Sequence, residues 1–227
     1  MPAPLSIVIP TLNASAEIGP TLAALTEGLG EGLIAELILT DGGSSDDIAA
    51  VAEAAGARLV TGPPGRGGQL ARGVAAARAP WLLILHADSR PEPGWAAAVQ
   101  AHLTGAPEAA AYFDLRFDAQ GALPRMVAGW ANLRARLLRL PYGDQGLLIS
   151  RALYTKSGGY PEIPLMEDVA LARALKGPLR PLRHKVTTSA ARYQRDGWLR
   201  RGARNLGTLL LYLLGRDPAR LAAKYHR

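Results

Sequence analysis

The stretch Trp81-Leu82-Leu83-Ile84-Leu85-His86-Ala87-Asp88-Ser89 decides the fold. Five apolar residues run without a break and stop at a polar tip, bounded by Pro80 before and Arg90-Pro91 after. A short continuous apolar run of this kind reads as a strand buried on both faces of a sheet. Ligands of open α/β sheets bind outside the carboxyl ends of such strands. His86, Asp88 and Ser89 therefore stand where a phosphate or a metal ion would sit. A lone Asp after a strand also reads as the cap of the next helix, and the other strand ends have to separate the two readings.

Working outward, Leu5 to Ile9 reads as a first strand stopped by Pro10, and Thr11 to Ser15 as its turn. A helix follows from about Ala16 to Leu29, with Ile18, Leu22, Leu25 and Leu29 on one face. Leu33 to Thr40 reads as the second strand. It ends in Asp41-Gly42-Gly43-Ser44-Ser45-Asp46, a glycine turn with a helix cap, and a helix over 47–55 follows. A short third strand, 57–60, leads into Gly62-Pro63-Pro64-Gly65-Arg66-Gly67-Gly68 and a helix over 69–78. This alternation predicts a parallel, doubly wound sheet over residues 1–89. The expected fold class is α/β, a Rossmann-like, mostly parallel sheet with helices on both faces.

Beyond Asp88 the rhythm changes. Helices are expected over 93–103 and 123–140, with a strand over 109–117 between them. Gly143-Asp144-Gln145-Gly146 reads as a loop entering a strand. A short helix over 153–159 and one from Glu167 to about Leu175 follow, then a strand over 186–191 and a helix over 196–214. No repeat or linker divides the chain, so 1–227 reads as one domain. Its parts are the doubly wound half (1–89), the half of changed rhythm (90–195) and basic amphipathic helices (196–227).

The 227 residues carry a formal net charge of +7 and no cysteine. The missing cysteines exclude a disulfide framework and a thiolate metal site. The first residues lack the features of a signal peptide, and the longest late apolar tract, Leu206 to Leu214, is short of the roughly 20 residues of a spanning helix. A cytoplasmic protein is expected, in solution or peripheral on the inner face of the membrane. The basic excess suits a phosphorylated ligand or an anionic surface. It equally suits the Arg- and Ala-rich composition of a GC-rich gene. No nucleic-acid-binding module is visible, so no nucleic-acid partner is expected.

Pro10-Thr11, Asp41, Arg66 and Asp88 converge on one edge of such a sheet. A carboxylate can accept the N–H of a nucleobase, and amides at a helix start with one arginine can hold a diphosphate. An Asp can hold Mg²⁺ or Mn²⁺, ions that prefer oxygen and often bridge phosphates. Each also has a plain reading: Asp41 as the cap of the Gly42-Gly43 turn, Arg66 as a solvated loop residue. The glycines around Arg66 are no dinucleotide fingerprint, which belongs after the first strand.

In order, Ser6-Ile7-Val8-Ile9-Pro10-Thr11-Leu12-Asn13, Thr40-Asp41-Gly42-Gly43-Ser44-Ser45-Asp46, His86-Ala87-Asp88-Ser89 and Met166-Glu167-Asp168 resemble the signatures of family 2 glycosyltransferases with a GT-A fold. The likeness covers about residues 5–200. Gly143-Asp144-Gln145-Gly146 and Gly158-Gly159-Tyr160 are similar to a subgroup of small, single-domain bacterial members. The resemblance implies a metal-dependent, inverting transfer of a sugar from a nucleotide-sugar, with UDP favoured, to an acceptor hydroxyl or phosphate. It assigns Pro10, Thr11 and Asn13 to the nucleotide, Asp41 to the base, and Arg66 to the base and diphosphate. Asp88 takes the Mg²⁺ or Mn²⁺ ion. Asp168, with Glu167 beside it, matches the catalytic base. Asp144 and Gln145 fall on the acceptor side, where a plain Gly-Asp turn is the other reading.

Two residues depart from the family pattern. His86 stands where the metal motif has its first Asp; imidazole binds Mn²⁺ but is a poor Mg²⁺ ligand, so His86 reads as a ribose contact or a support. Ala14 replaces an acidic residue after Asn13. Late in the chain, His184 is either a metal ligand or a surface residue, and Arg192 or Arg195 can reach donor phosphates. Tyr193-Gln194-Arg195-Asp196-Gly197-Trp198 is an interrupted form of the signature of processive members. Leu199, Leu206, Leu210, Leu213 and Leu214 share a helix face, with Arg200, Arg201 and Arg204 elsewhere. Such a helix suits anionic lipid and a lipid-linked acceptor, or packing within the domain or in a homodimer. The alternatives for the whole chain are a nucleotidyltransferase and a catalytically degenerate scaffold that binds nucleotide-sugars.

Overall fold

The computed structural model describes residues 2–225. One eight-stranded sheet organises them, in the order β3-β2-β1-β4-β7-β6-β8-β5. The strands are β1 (Leu5–Thr11), β2 (Ile34–Asp41), β3 (Arg58–Thr61), β4 (Trp81–Ile84), β5 (Arg90–Pro91), β6 (Ala110–Phe117), β7 (Leu147–Ser150) and β8 (Leu179–Thr188). β3, β2, β1 and β4 run parallel, as the alternation of the first half predicts. β7 then runs antiparallel to β4 and β6, and β8 runs parallel to β6.

Ten α-helices among the described residues cover the sheet: α1 (Gly19–Gly30), α2 (Ile48–Ala54), α3 (Arg66–Ala76), α4 (Trp95–Gly105), α5 (Ala122–Leu138), α6 (Arg151–Lys156), α7 (Glu167–Ala174), α8 (Ala191–Asp196), α9 (Trp198–Leu213) and α10 (Pro218–Tyr225). Successive strand side chains point to opposite faces, and the two apolar cores show it. Ile7, Ile9, Leu39, Leu83 and Leu85 pack with residues of α1, α2 and α4 on one side. Val8, Ile38, Leu82 and Ile84 pack with Leu70 and Val74 of α3 and Leu171 of α7 on the other. The Trp81 run is thus buried from both sides, which is why no polar residue interrupts it.

Several boundaries differ from the sequence expectation. Pro10 does not end β1, which continues to Thr11, opposite Asp41. The carbonyl of Val8 bonds Leu85 on the β4 side. Pro10 has the same parity, so its missing N–H faces the side on which β4 has already ended, and no ladder bond is lost. α1 begins at Gly19, not Ala16, because Pro20 suits the first turn of a helix and not its interior. α3 begins at Arg66, so Arg66-Gly67-Gly68 of the expected loop form its first turn, and Gly62 to Gly65 remain the loop. β8 is longer than the apolar segment over 186–191, since its first half alternates exposed Arg180, Arg183 and Lys185 with less exposed residues. The helix expected over 196–214 is α9, which starts two residues later because Gly197, with a φ of 85°, separates it from α8. α8 and the two-residue β5 were not expected.

Candidate active site

The carboxyl ends of β1 and β4 open into a cleft of about 1230 Å³. Its walls come from the Pro10–Ala14 turn, the first turn of α3, the His86–Asp88 tip, Tyr142 to Asp144, Pro164 to Asp168 and the arginines of α8 and α9. The chain therefore brings Pro10, Thr11, Asn13, Arg66, His86, Asp88, Asp144, Glu167 and Asp168 to one place from five segments.

The β4 tip is held by its backbone. Ser89 N donates to His86 O at 3.1 Å, and Thr21 Oγ1 donates to Ala87 O at 2.7 Å. Ser89 Oγ donates to the carbonyl of Asp144 at 3.3 Å, which ties the tip to the 3-10 turn Gly143–Gln145. The His86 ring abuts Gly143, where an added Cβ would lie 2.3 Å from Nε2. Burial, and then the charges of Arg66 and Arg192, hold the His86 pKa well below the ordinary imidazole value. At neutral pH the ring is uncharged.

Three carboxylates gather around that turn. Asp168 Oδ2 accepts the Gly143 N–H at 2.7 Å, and Oδ1 accepts the Val169 N–H at the start of α7. Asp144 Oδ1 is buried and has no hydrogen-bond partner among the described residues. Burial pushes the Asp144 carboxyl up to about 6; Asp168 and Asp88 add to the rise, while Arg134 and Arg66 oppose it. Glu167, 2% exposed, is pushed up to about 7, by burial first and then by the Asp168 carboxylate. The Arg66 guanidinium, 3.8 Å away, pulls it the other way. Such clustering of displaced carboxyl groups in a cleft is characteristic of functional sites.

Two residues that the family resemblance assigns to ligands sit elsewhere. Asp41 is 4% exposed and does not line the cleft. Its Oδ2 accepts from the amides of Gly43 and Ser44 at 2.8 Å, and its Oδ1 accepts from the hydroxyls of Ser44 and Thr11. Burial works to raise this carboxyl, but these bonds outweigh it and hold the pKa below the ordinary value. In this conformation Asp41 organises the turn. That turn is tied to the first one: Asn13 N donates to Ser44 Oγ, and Ser45 N donates to Asn13 Oδ1. Gln145 is fully buried beneath the cleft rather than in its acceptor wall. Its Nε2 donates to Phe113 O and Asn132 Oδ1, both at 3.2 Å, because a polar side chain in a core must satisfy its bonds there. His184 is also outside the cleft, on β8, with Nε2 2.8 Å from Glu92 O. His184 is therefore no part of this site.

Other site residues gave little sequence signal. Gln69, one turn along α3 from Arg66, donates to Thr11 O at 2.7 Å and Thr40 O at 2.9 Å, joining the ends of β1 and β2. Its spacing of three from Arg66 on one helix face was the available clue. Tyr142 carries Arg134 over its ring at 3.4 Å. Arg192, Arg195, Arg200, Arg201 and Arg204 form a cationic rim. Asp196 binds Arg195 and Arg201, both at 2.9 Å. Among the described residues Arg192, Arg200 and Arg204 have no carboxylate partner.

This sheet, with a polar cleft at the carboxyl ends of its parallel strands, is that of the GT-A glycosyltransferases. Solved structures similar to it include glucosyl-3-phosphoglycerate synthase of Mycobacterium tuberculosis in complex with Mn²⁺, UDP and phosphoglyceric acid. That match has 25% sequence identity and a TM-score of 0.60, and covers 93% of this chain and 78% of that one. The same enzyme in complex with Mn²⁺, UDP-glucose and phosphoglyceric acid gives 26% identity and a TM-score of 0.57, over 81% and 71%. Residues 6–151 match the model of Glycosyl transferase family 2, and the chain belongs to that family. A glucosyl-3-phosphoglycerate synthase of Mycolicibacterium paratuberculosis is 36% identical over 93 residues, 37% of this chain. The matched part spans only 28% of that curated relative's length. Family membership displaces the nucleotidyltransferase alternative. The family match ends before Glu167, so the acid pair and the arginine rim rest on geometry.

Proposed function

We propose that the protein transfers a sugar from a nucleotide-sugar, UDP-linked, to a hydroxyl of an acceptor that itself carries a phosphate or carboxylate. The observation that carries this reading is the meeting of Asp88, Asp144, Glu167 and Asp168 with a cationic rim in one cleft. The relatives crystallised with Mn²⁺, UDP-glucose and phosphoglyceric acid support the same donor, ion and acceptor class.

A divalent cation fits these residues. Asp88 offers a carboxylate and His86 a neutral imidazole, a pair suited to Mn²⁺. The unpartnered Asp144 oxygen and the mutual repulsion of Asp88, Asp144 and Asp168 leave negative charge that a cation would balance. Among the described residues no group of three or more His, Asp or Glu side chains could hold a metal ion by itself. Donor phosphates would complete the coordination. When bound, the ion supplies charge neutralisation on the departing diphosphate.

The chain's own residues do the rest. Arg66 at the start of α3 stands where amides and a guanidinium hold phosphate oxygens. Asp168, oriented by the Gly143 amide, takes the proton of the acceptor hydroxyl as it attacks the anomeric carbon, with inversion. Arg192, Arg200 and Arg204 hold the acceptor's anionic group. Holding donor and acceptor in line supplies much of the rate.

The test is a thermal shift with UDP-, GDP-, dTDP- and CDP-sugars, each with Mn²⁺, Mg²⁺ or EDTA. A metal-dependent rise with one nucleotide is expected by mass action, and Asp88→Ala should remove it. Turnover of 3-phosphoglycerate and other acidic acceptors is then scored by NMR, and a product anomer opposite to the donor's is expected. Metal-dependent nucleotide binding with no transfer to any acidic acceptor, and none of the donor hydrolysed, would leave a nucleotide-sugar-binding scaffold instead.

A further inference from the structure

Thirteen large apolar residues are exposed among the described residues, and eleven of them lie on α5, α9 or the residue that ends α9. On α5 these are Leu123, Met126, Trp130, Leu133 and Leu137, with Leu138 beside them. At 100° per residue the first five fall within about 80° of arc, centred roughly 150° from the buried Ala128, Ala131 and Ala135. α5 is therefore apolar on two opposite sides: alanines face the core and larger side chains face out. Trp130 is 52% exposed and Leu137 72%.

α9 repeats the arrangement. Leu199, Leu206, Leu210 and Leu213 fall within about 60° of arc, opposite the buried Arg201 and Thr208, with the buried Leu209 at the edge of the stripe. Arg200 and Arg204, about 110° and 150° round the helix from the centre of that stripe, line the cleft. α5 and α9 pack against each other, and α10 packs against α9. The two outward stripes thus lie on neighbouring helices. Apolar exposure on this scale marks an interaction site.

Charge identifies the partner. α5, α9 and α10 contain no Asp or Glu. Among the described residues Arg125, Arg216, Arg220 and Lys224, which lie outside the cleft, have no carboxylate partner. A second copy applied to the same face would oppose cation with cation. An anionic headgroup layer neutralises them, while the leucines and Trp130 enter the acyl boundary. No helix among the described residues is long and apolar enough to cross a membrane, so contact by these helices would be at the surface.

We infer that the α5–α9 face docks the protein flat on an anionic phospholipid surface. The inference stands on the exposed stripes and is independent of the transfer reaction.

The test is co-sedimentation of the full chain with phosphatidylcholine vesicles, with and without about one-third phosphatidylglycerol. Binding to the anionic vesicles is expected, weakened by salt, with little on the neutral ones. The double variants Leu206→Glu/Leu210→Glu and Trp130→Glu/Leu137→Glu should each lower partitioning about tenfold or more. Their melting midpoints should stay unchanged, since the altered side chains are exposed. A blue shift of tryptophan emission on anionic vesicles, lost in Trp130→Phe while binding persists, reads the same contact without disturbing charge. Absence of wild-type binding, or equal binding by the glutamate variants, overturns the inference. A wild-type dimer in sedimentation velocity that these variants convert to monomer also overturns it, and assigns the face to a second copy.

Discussion

Replacing Glu167 by Gln should stabilise the protein at alkaline pH and leave it unchanged in acid. The carboxyl is 2% exposed and its pKa rises from an ordinary 4.5 to about 7. Between those values the native state keeps a proton that the unfolded chain has released. Stability therefore falls as pH rises, and the contribution is fully present only below the unfolded pKa. At 1.36 kcal/mol per unit, a rise of about 2.5 units amounts to a ceiling of about 3 kcal/mol lost by pH 8. Gln has the shape of protonated Glu and cannot ionise, so the variant keeps what the wild type loses. The attraction of Arg66, 3.8 Å away, already opposes the rise and is contained in the value of about 7, so it is not subtracted again. The net expectation is a variant more stable by about 3 kcal/mol at most at pH 8 and equal to wild type near pH 4.5. Urea unfolding of both proteins across pH 4.5 to 8 measures the difference, and groups such as Asp41, whose pKa moves the other way, cancel in it. A variant less stable than wild type at pH 8, or a gap that does not change with pH, would refute the reasoning. Glu167 would then be held ionised by Arg66, and burial would not be the controlling effect.

Other expectations follow from the same region. Gly67→Ala places a Cβ 2.2 Å from the carbonyl oxygen of Pro161 and 2.8 Å from that of Ile163. Backbone must move, so a loss of about 1–3 kcal/mol in urea unfolding is expected, with activity falling because that segment leads to Glu167 and Asp168. Gln145→Ala strands the buried groups that Gln145 now satisfies and should cost about 1–3 kcal/mol, while acceptor KM in the folded fraction stays near wild type. Asp168→Asn should lower kcat by about two to four decades with little change in nucleotide binding, which kcat and calorimetric Kd separate.

The first half of the fold was legible because a doubly wound sheet imposes a strong local pattern. A strand covered on both faces takes a polar residue only where a partner meets it, as Glu36 meets Ser6, and Leu82 to Leu85 have none. The second half was less legible where burial is one-sided or absent. The first half of β8 carries arginines and a lysine because one side of it meets solvent, and hydrophobicity does not mark such a strand. The helix after Gly197 was legible to within two residues, whereas α8 before it was missed because none of its six residues is buried and no apolar stripe marks it. In the site, the residues that could be placed are those at strand ends and helix starts, whose position follows from topology: Thr11, Arg66, Asp88, Glu167 and Asp168. Asp41 sits at a strand end too, yet its carboxylate turns back into its own loop, since four nearby donors compete for it. Gln145 was misplaced for the opposite reason, because a polar residue in a glycine turn looks exposed until Phe113 and Asn132 are known to lie over it. Strand order thus brings the segments together, but the local hydrogen-bond supply decides which side chains face the ligand. The same logic explains why Asp144 is the informative acid of the cluster: it alone among these carboxylates keeps a buried oxygen that no donor of the described chain reaches, and so it reports where charge must be supplied from outside.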